Sequence, residues 1–367
     1  MSWIVLGNSI QEGLERAKLL TIVSWNIDYA RPDPTARASA ALGHLRELFG
    51  EVQGPLVVML QEVRRESLQV ILENSWVQAH FVLSNINCPE SLYTNIPGES
   101  FILKRLDWKA APYFTLTMIS KNLAITNCFR VPFVTGMGRD ALVVDIPISN
   151  PERRTQAKES IRLCTTHLES LFGGKAYRPG QLALISALLK GTPSMDSRII
   201  AGLVGGDMNA IDRPEHEFHK ANEVNLKDVW EDVAPPPVPI LKPFQKDLSY
   251  GRARGNTWGY QSDGPRSRKR MDKFFYTGLI ETVALNEAQD VAGRLGRLGI
   301  NLTTEVEAWE METTKISITP GKLVKKPHKQ YFSEESAAML QDKRVVHKKI
   351  NTWVSDHFGI AVAIKVL

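Results

Sequence analysis

Cysteine is scarce in this chain. There are three in 367 residues, Cys88, Cys128 and Cys164, widely spaced and in no CxxC pair. Their scarcity argues against a disulfide-stapled scaffold and a cysteine-ligated zinc site, and favours a reducing intracellular compartment. Long apolar runs are missing too. No window approaches the roughly 20 apolar residues that a membrane span requires, so no membrane partner is expected. Met1–Leu20 carries Glu12 and Glu15 and has no continuous apolar core, which makes it a poor secretory signal. Internal repeats and low-complexity tracts are absent. Charge of one sign is not extreme: 45 Lys and Arg against 40 Asp and Glu leave +5. That balance tolerates a polyanionic partner without demanding one.

What remains is the composition of an ordinary globular protein, 43% hydrophobic and 23% charged. The organising stretch is Ile199–Asp212, IIAGLVGGDMNAID. A short apolar run bounded by glycines reads as a buried strand, with a helix as the alternative. Residues two apart on an extended chain face the same side, so Asp207 and Asn209 can meet one ligand together. A strand end running into an Asp/Asn turn explains the same residues without any function.

Other strands end in the same way. Leu20–Trp25 runs into Asn26 and Asp28, and Pro55–Leu60 terminates in Gln61-Glu62-Val63. Pro112–Ser120, Ala141–Ile148 and Ile161–Leu168 read as three more strands, the last carrying His167, Glu169 and Ser170 at its end. Between them the glycine-punctuated loop Val134–Asp140 carries Arg139. Helices are predicted from Asp33-Pro34-Thr35 to about Phe49, over Arg64–Glu73 and over Arg178–Lys190. Pro235–Pro237 reads as a rigid spacer. The basic run Arg266–Lys273 leads into Phe274-Phe275-Tyr276, and Ser355-Asp356-His357 precedes a final strand, Phe358–Ile364. PRSRKR resembles a nuclear localisation signal, so nucleus and cytoplasm are both open. Residues 281–352 show few strong apolar periodicities and a lysine-rich stretch, and read as an elaborated, partly mobile basic insertion in a single 1–367 domain.

The ordered set WNID, QEV, THLES, GDMN, RMDK and SDH resembles the endonuclease/exonuclease/phosphatase superfamily of metal-dependent phosphodiesterases. WNID, THLES and APYFT (Ala111–Thr115) narrow the resemblance to the tyrosyl-DNA phosphodiesterase type 2 enzymes. It implies an α/β fold, a four-layer sandwich of two mixed sheets packed face to face with helices outside. It also implies a site at one end that binds Mg²⁺, with Mn²⁺ as a substitute, and a nucleic-acid partner, a DNA 5′ end, bound by a monomer. Carried over, Glu62 and Asp28 hold the metal and Asn26 hydrogen-bonds within that site. Asp207 deprotonates the attacking water, and Asn209 positions it. His357 and His167 contact the phosphate, Asp272 holds the His357 ring, and Asp356 supports it. Tyr113, Trp258, Ser170 and Arg139 are the implied substrate contacts.

Two positions depart from the family pattern. Leu171-Phe172 stand where those enzymes carry Thr-Arg after THLES, and Ile211 stands where an arginine follows GDxN. Arg213, Lys175 and Arg178 are candidate replacements. RNA, abasic DNA, and a small phosphorylated molecule or lipid therefore remain alternative substrates, and a non-catalytic nucleic-acid-binding module is a weaker alternative.

Overall fold

The computed structural model describes residues 13–84, 113–149, 158–191, 197–232, 255–261, 267–283, 285, 290–292, 294–319, 322–332, 338 and 345–367. The triple proline at 235–237, Cys88, Ala111-Pro112 and most of the Met1–Leu20 stretch lie outside them.

In chain order, the first part comprises β1 (Leu14–Glu15), β2 (Leu20–Asn26), α1 (Pro34–Phe49), β3 (Leu56–Val63), α2 (Arg65–Glu73), α3 (Ser75–His80) and β4 (Phe81–Leu83). There follow β5 (Phe114–Ser120), β6 (Asn127–Pro132), β7 (Asp140–Ser149), β8 (Lys158–His167), α4 (Arg178–Lys190) and β9 (Ser197–Asp207). The last part holds β10 (Lys227–Asp228), β11 (Asp272–Gly278), β12 (Ile280–Val283), β13 (Asp290–Ala292), β14 (Leu295–Leu298), β15 (Thr303–Thr319), β16 (Lys322–Phe332), β17 (Val345–Trp353) and β18 (Gly359–Val366). The helices predicted at α1, α2 and α4 and the strands around the motifs are therefore all present; α3 was not foreseen.

One sheet runs β1-β7-β8-β9-β11-β10, with β6 also on β7. The other runs β13-β14-β18-β2-β3-β5-β4, with β12 also on β18. Both are mixed: β8 lies parallel to β9 and β2 parallel to β3, among antiparallel neighbours.

Three separate apolar clusters show how the layers stack. Alternation sends Leu20 and Ile22 of β2, Val57 and Met59 of β3, Leu203 of β9 and Phe274 of β11 into one central core between the sheets. The opposite faces of β2 and β3, with Val23, Trp25, Val58 and Leu60, pack on Leu42 and Leu45 of α1, Ile71 of α2 and Trp76 of α3. Val204 and Phe275 face away from the central core and meet Leu182, Ile185 and Leu189 of α4. Helix, sheet, sheet, helix is the four-layer sandwich.

The segment 281–352, read from the sequence as an elaborated basic insertion, contributes strands to two sheets. Its described residues are mostly strands: β13 and β14 extend the second sheet, and β15–β17 form a three-stranded antiparallel sheet. The alternating signal there is carried by charge more than by apolar residues. Val306 and Ala308 are buried, while Glu307 pairs with Lys349 directly opposite and Glu310 with Lys329 and Lys348.

The two sheets approach closely at Gly205. A Cβ there would lie 2.5 Å from the Phe274 ring and 2.9 Å from Met59 Sδ of the facing sheet. Gly205→Ala is expected to destabilise the fold by about 1–3 kcal/mol through overpacking, read as a lower urea midpoint at unchanged m-value.

Candidate active site

The inward-facing row of each sheet ends in a polar residue at the same edge. Continuing the alternation from the central core puts Asn26 at the end of β2, His167 at the end of β8, Asp207 at the end of β9 and Asp272 at the start of β11. Glu62 joins them by a different route. Strict alternation would turn Gln61 into the site and Glu62 toward the helices. The β3–β5 register shifts between Leu60 and Val63, and Glu62 takes a left-handed φ of 60°. A bulge of this kind re-aims a side chain. Gln61 instead stays buried and donates to Ser24 Oγ (3.1 Å) and to the Met59 carbonyl (3.1 Å).

Asn26 Nδ2 donates to Glu62 Oε1 (3.1 Å) and Asp207 Oδ2 (3.2 Å), linking carboxylates that belong to different sheets. His167 Nε2 lies 3.4 Å from Asp207 Oδ2 and 3.8 Å from Glu62 Oε1. His357 Nε2 lies 3.7 Å from the same Asp207 oxygen, while its Nδ1 sits 2.7 Å from Asp272 Oδ2. Thr257 Oγ1 also donates to that Asp272 oxygen (2.5 Å). The Tyr29 backbone N–H donates to Glu62 Oε2 (2.8 Å).

The two imidazoles are shifted in opposite directions. Burial opposes a charge on His357, but Asp272, Asp356 and Asp207 outweigh it and hold the ring well above the ordinary imidazole range. His167 is pushed well below that range by burial, then by Arg139 and His357. Its tautomer follows from geometry. Arg139 Nη1 lies 2.9 Å from His167 Nδ1, and a guanidinium can only donate, so Nδ1 accepts and the proton sits on Nε2, toward the carboxylates. Burial raises Glu62 to about 7, assisted by Asp28, and raises Asp207 to about 6 against the pull of His357.

Other sequence-selected residues sit nearby with their groups committed elsewhere. Asn209 does not continue the extended strand on which its pairing with Asp207 was argued. It is left-handed (φ 48°), donates its backbone N–H to Asp207 Oδ1 (2.8 Å) and gives its amide Nδ2 to the Leu168 carbonyl (3.0 Å). Asp28, likewise left-handed, is pushed up by burial, pairs with Arg31 Nε (2.8 Å) and accepts from Ala30 N–H (2.9 Å). Asp356 accepts from Trp258 Nε1 (2.9 Å), and an oxygen of its carboxylate lies 3.8 Å from His357 Nε2. Ser170 Oγ accepts from Arg139 Nη2 (2.8 Å). Tyr113 is half-buried rather than open: the Tyr29 ring is 4.1 Å away, Arg139 lies over the Tyr113 ring at 5.0 Å, and His167 is at 6.2 Å.

Two buried charged residues that the sequence reading gave no role support the site. Arg37 of α1 is buried and donates to the carbonyls of Pro32, Ile27, Val354 and Arg31, tying the loop after β2 to the segment before His357. Glu169, inside THLES, braces the neighbouring loop through Gly136 N–H (2.9 Å) and Thr135 Oγ1 (2.5 Å). Of the three replacement cations nominated for the missing arginines, Arg178 is buried against Glu215 and Lys175 pairs with Asp212 (2.9 Å), while the Arg213 side chain lies outside the described ones. Leu171 and Phe172 are 66% and 72% exposed, so the rim beside Ser170 is apolar.

No protein-family model matches the chain, and no curated protein matches it. Solved structures do. The arrangement of two stacked mixed sheets is similar to that of solved endonuclease/exonuclease/phosphatase proteins. Such a protein from Bacteroides vulgatus aligns at TM-score 0.51 and 12% identity over 95% of this chain and 99% of its own. Within that fold, D. rerio TDP2, complexed with a single-strand DNA product, aligns at TM-score 0.54 and 17% identity over 95% of this chain and 99% of its own. A truncated Caenorhabditis elegans TDP2 gives 0.51 and 16% over 95% and 98%. At these identities the fold is what is shared.

The imidazole assignments are directly measurable by ¹⁵N NMR. His357 is expected to carry protons on both ring nitrogens at pH 7, and His167 to remain the neutral Nε2–H tautomer at pH 5. Because the folded pKa of His357 is raised, its contribution to stability is complete below the unfolded value near 6.5 and is lost as pH rises through the folded value. Asp272→Asn is expected to bring the His357 titration back down toward 6.5.

Proposed function

We propose that this protein is a Mg²⁺-dependent phosphodiesterase that hydrolyses a 5′-phosphotyrosyl–DNA bond and leaves a 5′-phosphate. The observation carrying the reading is the placing of one carboxylate, Asp207, within 3.4–3.7 Å of a neutral and a charged imidazole, with Asn26 and Glu62 beside it.

The donor set fits a hard divalent cation. Glu62 is an oxygen ligand whose negative charge burial and Asp28 disfavour, raising it to about 7, and a cation would restore that charge. Glu62 would hold the ion. Asp28, its partner in the family pattern, would have to share its carboxylate with Arg31. When bound, the ion would neutralise phosphate charge and polarise the phosphorus–oxygen bonds. The protein's own groups supply the rest. Asp207, raised to about 6 and still largely ionised at neutral pH, orients a water and takes its proton. His357, kept cationic by Asp272, and the Nε2–H of His167 donate to phosphate oxygens as charge builds in the transition state. A phenolate leaving group, with a reference pKa near 10, departs far more readily than an alkoxide. The D. rerio TDP2 solved with a single-strand DNA product supports a nucleic-acid substrate.

The apolar rim at Leu171 and Phe172 favours a second reading, in which the same catalytic set acts on RNA or on a small phosphodiester or lipid. Phe172→Arg separates the two. If a DNA end is the substrate, the variant is expected to lower KM for the oligonucleotide and steepen its log–log salt dependence by about 0.7–0.9 per added phosphate contact.

The primary test is Mg²⁺-dependent release of tyrosine from a single-stranded 5′-phosphotyrosyl oligonucleotide. Asp207→Asn is expected to cost about 10²–10⁴ in kcat; a variant as active as wild type overturns the assignment of the base. Metal binding has its own readout. A carboxylate raised in the folded state loses its stabilising contribution as pH climbs from the unfolded value of 4.5 through 7. Mg²⁺ is therefore expected to raise the melting temperature more at pH 8 than at pH 5.5, and Glu62→Gln to abolish the difference.

A further inference from the structure

Tyr29 directly follows WNID, and Asp28-Tyr29-Ala30 reads in the sequence as no more than a turn. The left-handed conformation of Asp28 folds the chain back, so that the Tyr29 N–H meets Glu62 Oε2 and its ring lies 4.1 Å from the Tyr113 ring at an interplanar angle of 33°. Tyr113, with Trp258, is one of the two aromatics expected to contact the substrate. In this chain Tyr29, Arg139 and His167 crowd round it. Tyr29 is the more open ring of the pair, 37% exposed, and its backbone is anchored on the carboxylate that would hold the metal.

We propose that Tyr29 is a specificity-determining residue whose exposed ring stacks on an aromatic group carried next to the scissile phosphodiester bond. The inference rests on the phosphodiesterase reading above and adds to it the residue that selects an aromatic substituent. An incoming ring extends the ring contact already made between Tyr113 and Tyr29. Offset or tilted stacking contributes about two- to tenfold in discrimination. Two sources supply the same chemistry, the phenol of the leaving group and the base of the terminal nucleotide.

The experiment measures kcat/KM with Mg²⁺ for wild type, Tyr29→Ala and Tyr29→Phe on four oligonucleotides. Their 5′-phosphates carry either a tyrosyl or an ethyl group, and their terminal nucleotide either thymine or an abasic sugar. The expected result is that the preference of wild type for ring-bearing over ring-free substrates falls about two- to tenfold in Tyr29→Ala and is kept in Tyr29→Phe. A loss that follows the tyrosyl group assigns the ring to the leaving group; one that follows thymine assigns it to the base. An equal loss on all four, or no loss, overturns the proposal, the first by reducing Tyr29 to a support for Glu62. Turnover of none of the four by wild type overturns the phosphodiesterase reading instead. Tyr29 is then judged by calorimetric binding of phenyl phosphate against methyl phosphate. A preference for phenyl phosphate that Tyr29→Ala loses and Tyr29→Phe keeps supports the stacking role, and no preference, or one unchanged in Tyr29→Ala, overturns it.

Discussion

The hydrogen bond between Asp272 Oδ2 and His357 Nδ1 is the contact on which the rest of the site depends. Asp272 opens β11 of one sheet, and His357 leads into β18 of the other, so a 2.7 Å bond closes the sandwich at its functional edge. It also sets charge. Asp272 is fully buried, and its stabilisation of the imidazolium overcomes the desolvation that would otherwise leave His357 neutral. That cation then offsets the burial cost of Asp207. Asn26 repeats the arrangement without charge, joining Glu62 of one sheet to Asp207 of the other.

A cluster this acidic is held in place by groups outside it. Arg37 uses the full fork of its guanidinium on four carbonyls, fixing the turn that carries Asp28 and Tyr29 relative to the segment that carries Asp356 and His357. Arg139 removes the accepting nitrogen of His167 from the site and leaves its N–H facing the carboxylates. Glu169 rigidifies the loop from which Arg139 comes. Each contact costs the desolvation of a charged group, and each is satisfied by several hydrogen bonds, which is the condition under which such burial is tolerated.

Much of this was legible from residue order. The strands bearing WNID, QEV, THLES and GDMN were readable because each is an apolar run that ends abruptly in polar residues, and α1, α2 and α4 because their apolar positions recur at helical spacing. The three-stranded sheet was not, because among its described side chains the pairing shows mainly as cross-strand ion pairs, with Val306 and Ala308 the buried apolar residues. Asn209 was placed on an extended chain that in fact stops at Asp207. Tyr29 escaped notice because a tyrosine in a turn carries no signal until its neighbour in space, 84 positions along the chain, is known.

The sequence alone determined which chemistry is available: carboxylates, amides and imidazoles at the ends of separate strands, in an order that resembles a family of phosphodiesterases. Local patterning suffices for that, because alternation and strand termination are properties of neighbouring residues. Tertiary structure decided what each group can do. The bulge that turns Glu62 inward, the tautomer of His167, the charge on His357 and the covering of Tyr113 all arise from contacts between segments far apart in the chain. Desolvation and close-range electrostatics, which set those states, exist only once the two sheets have closed on each other.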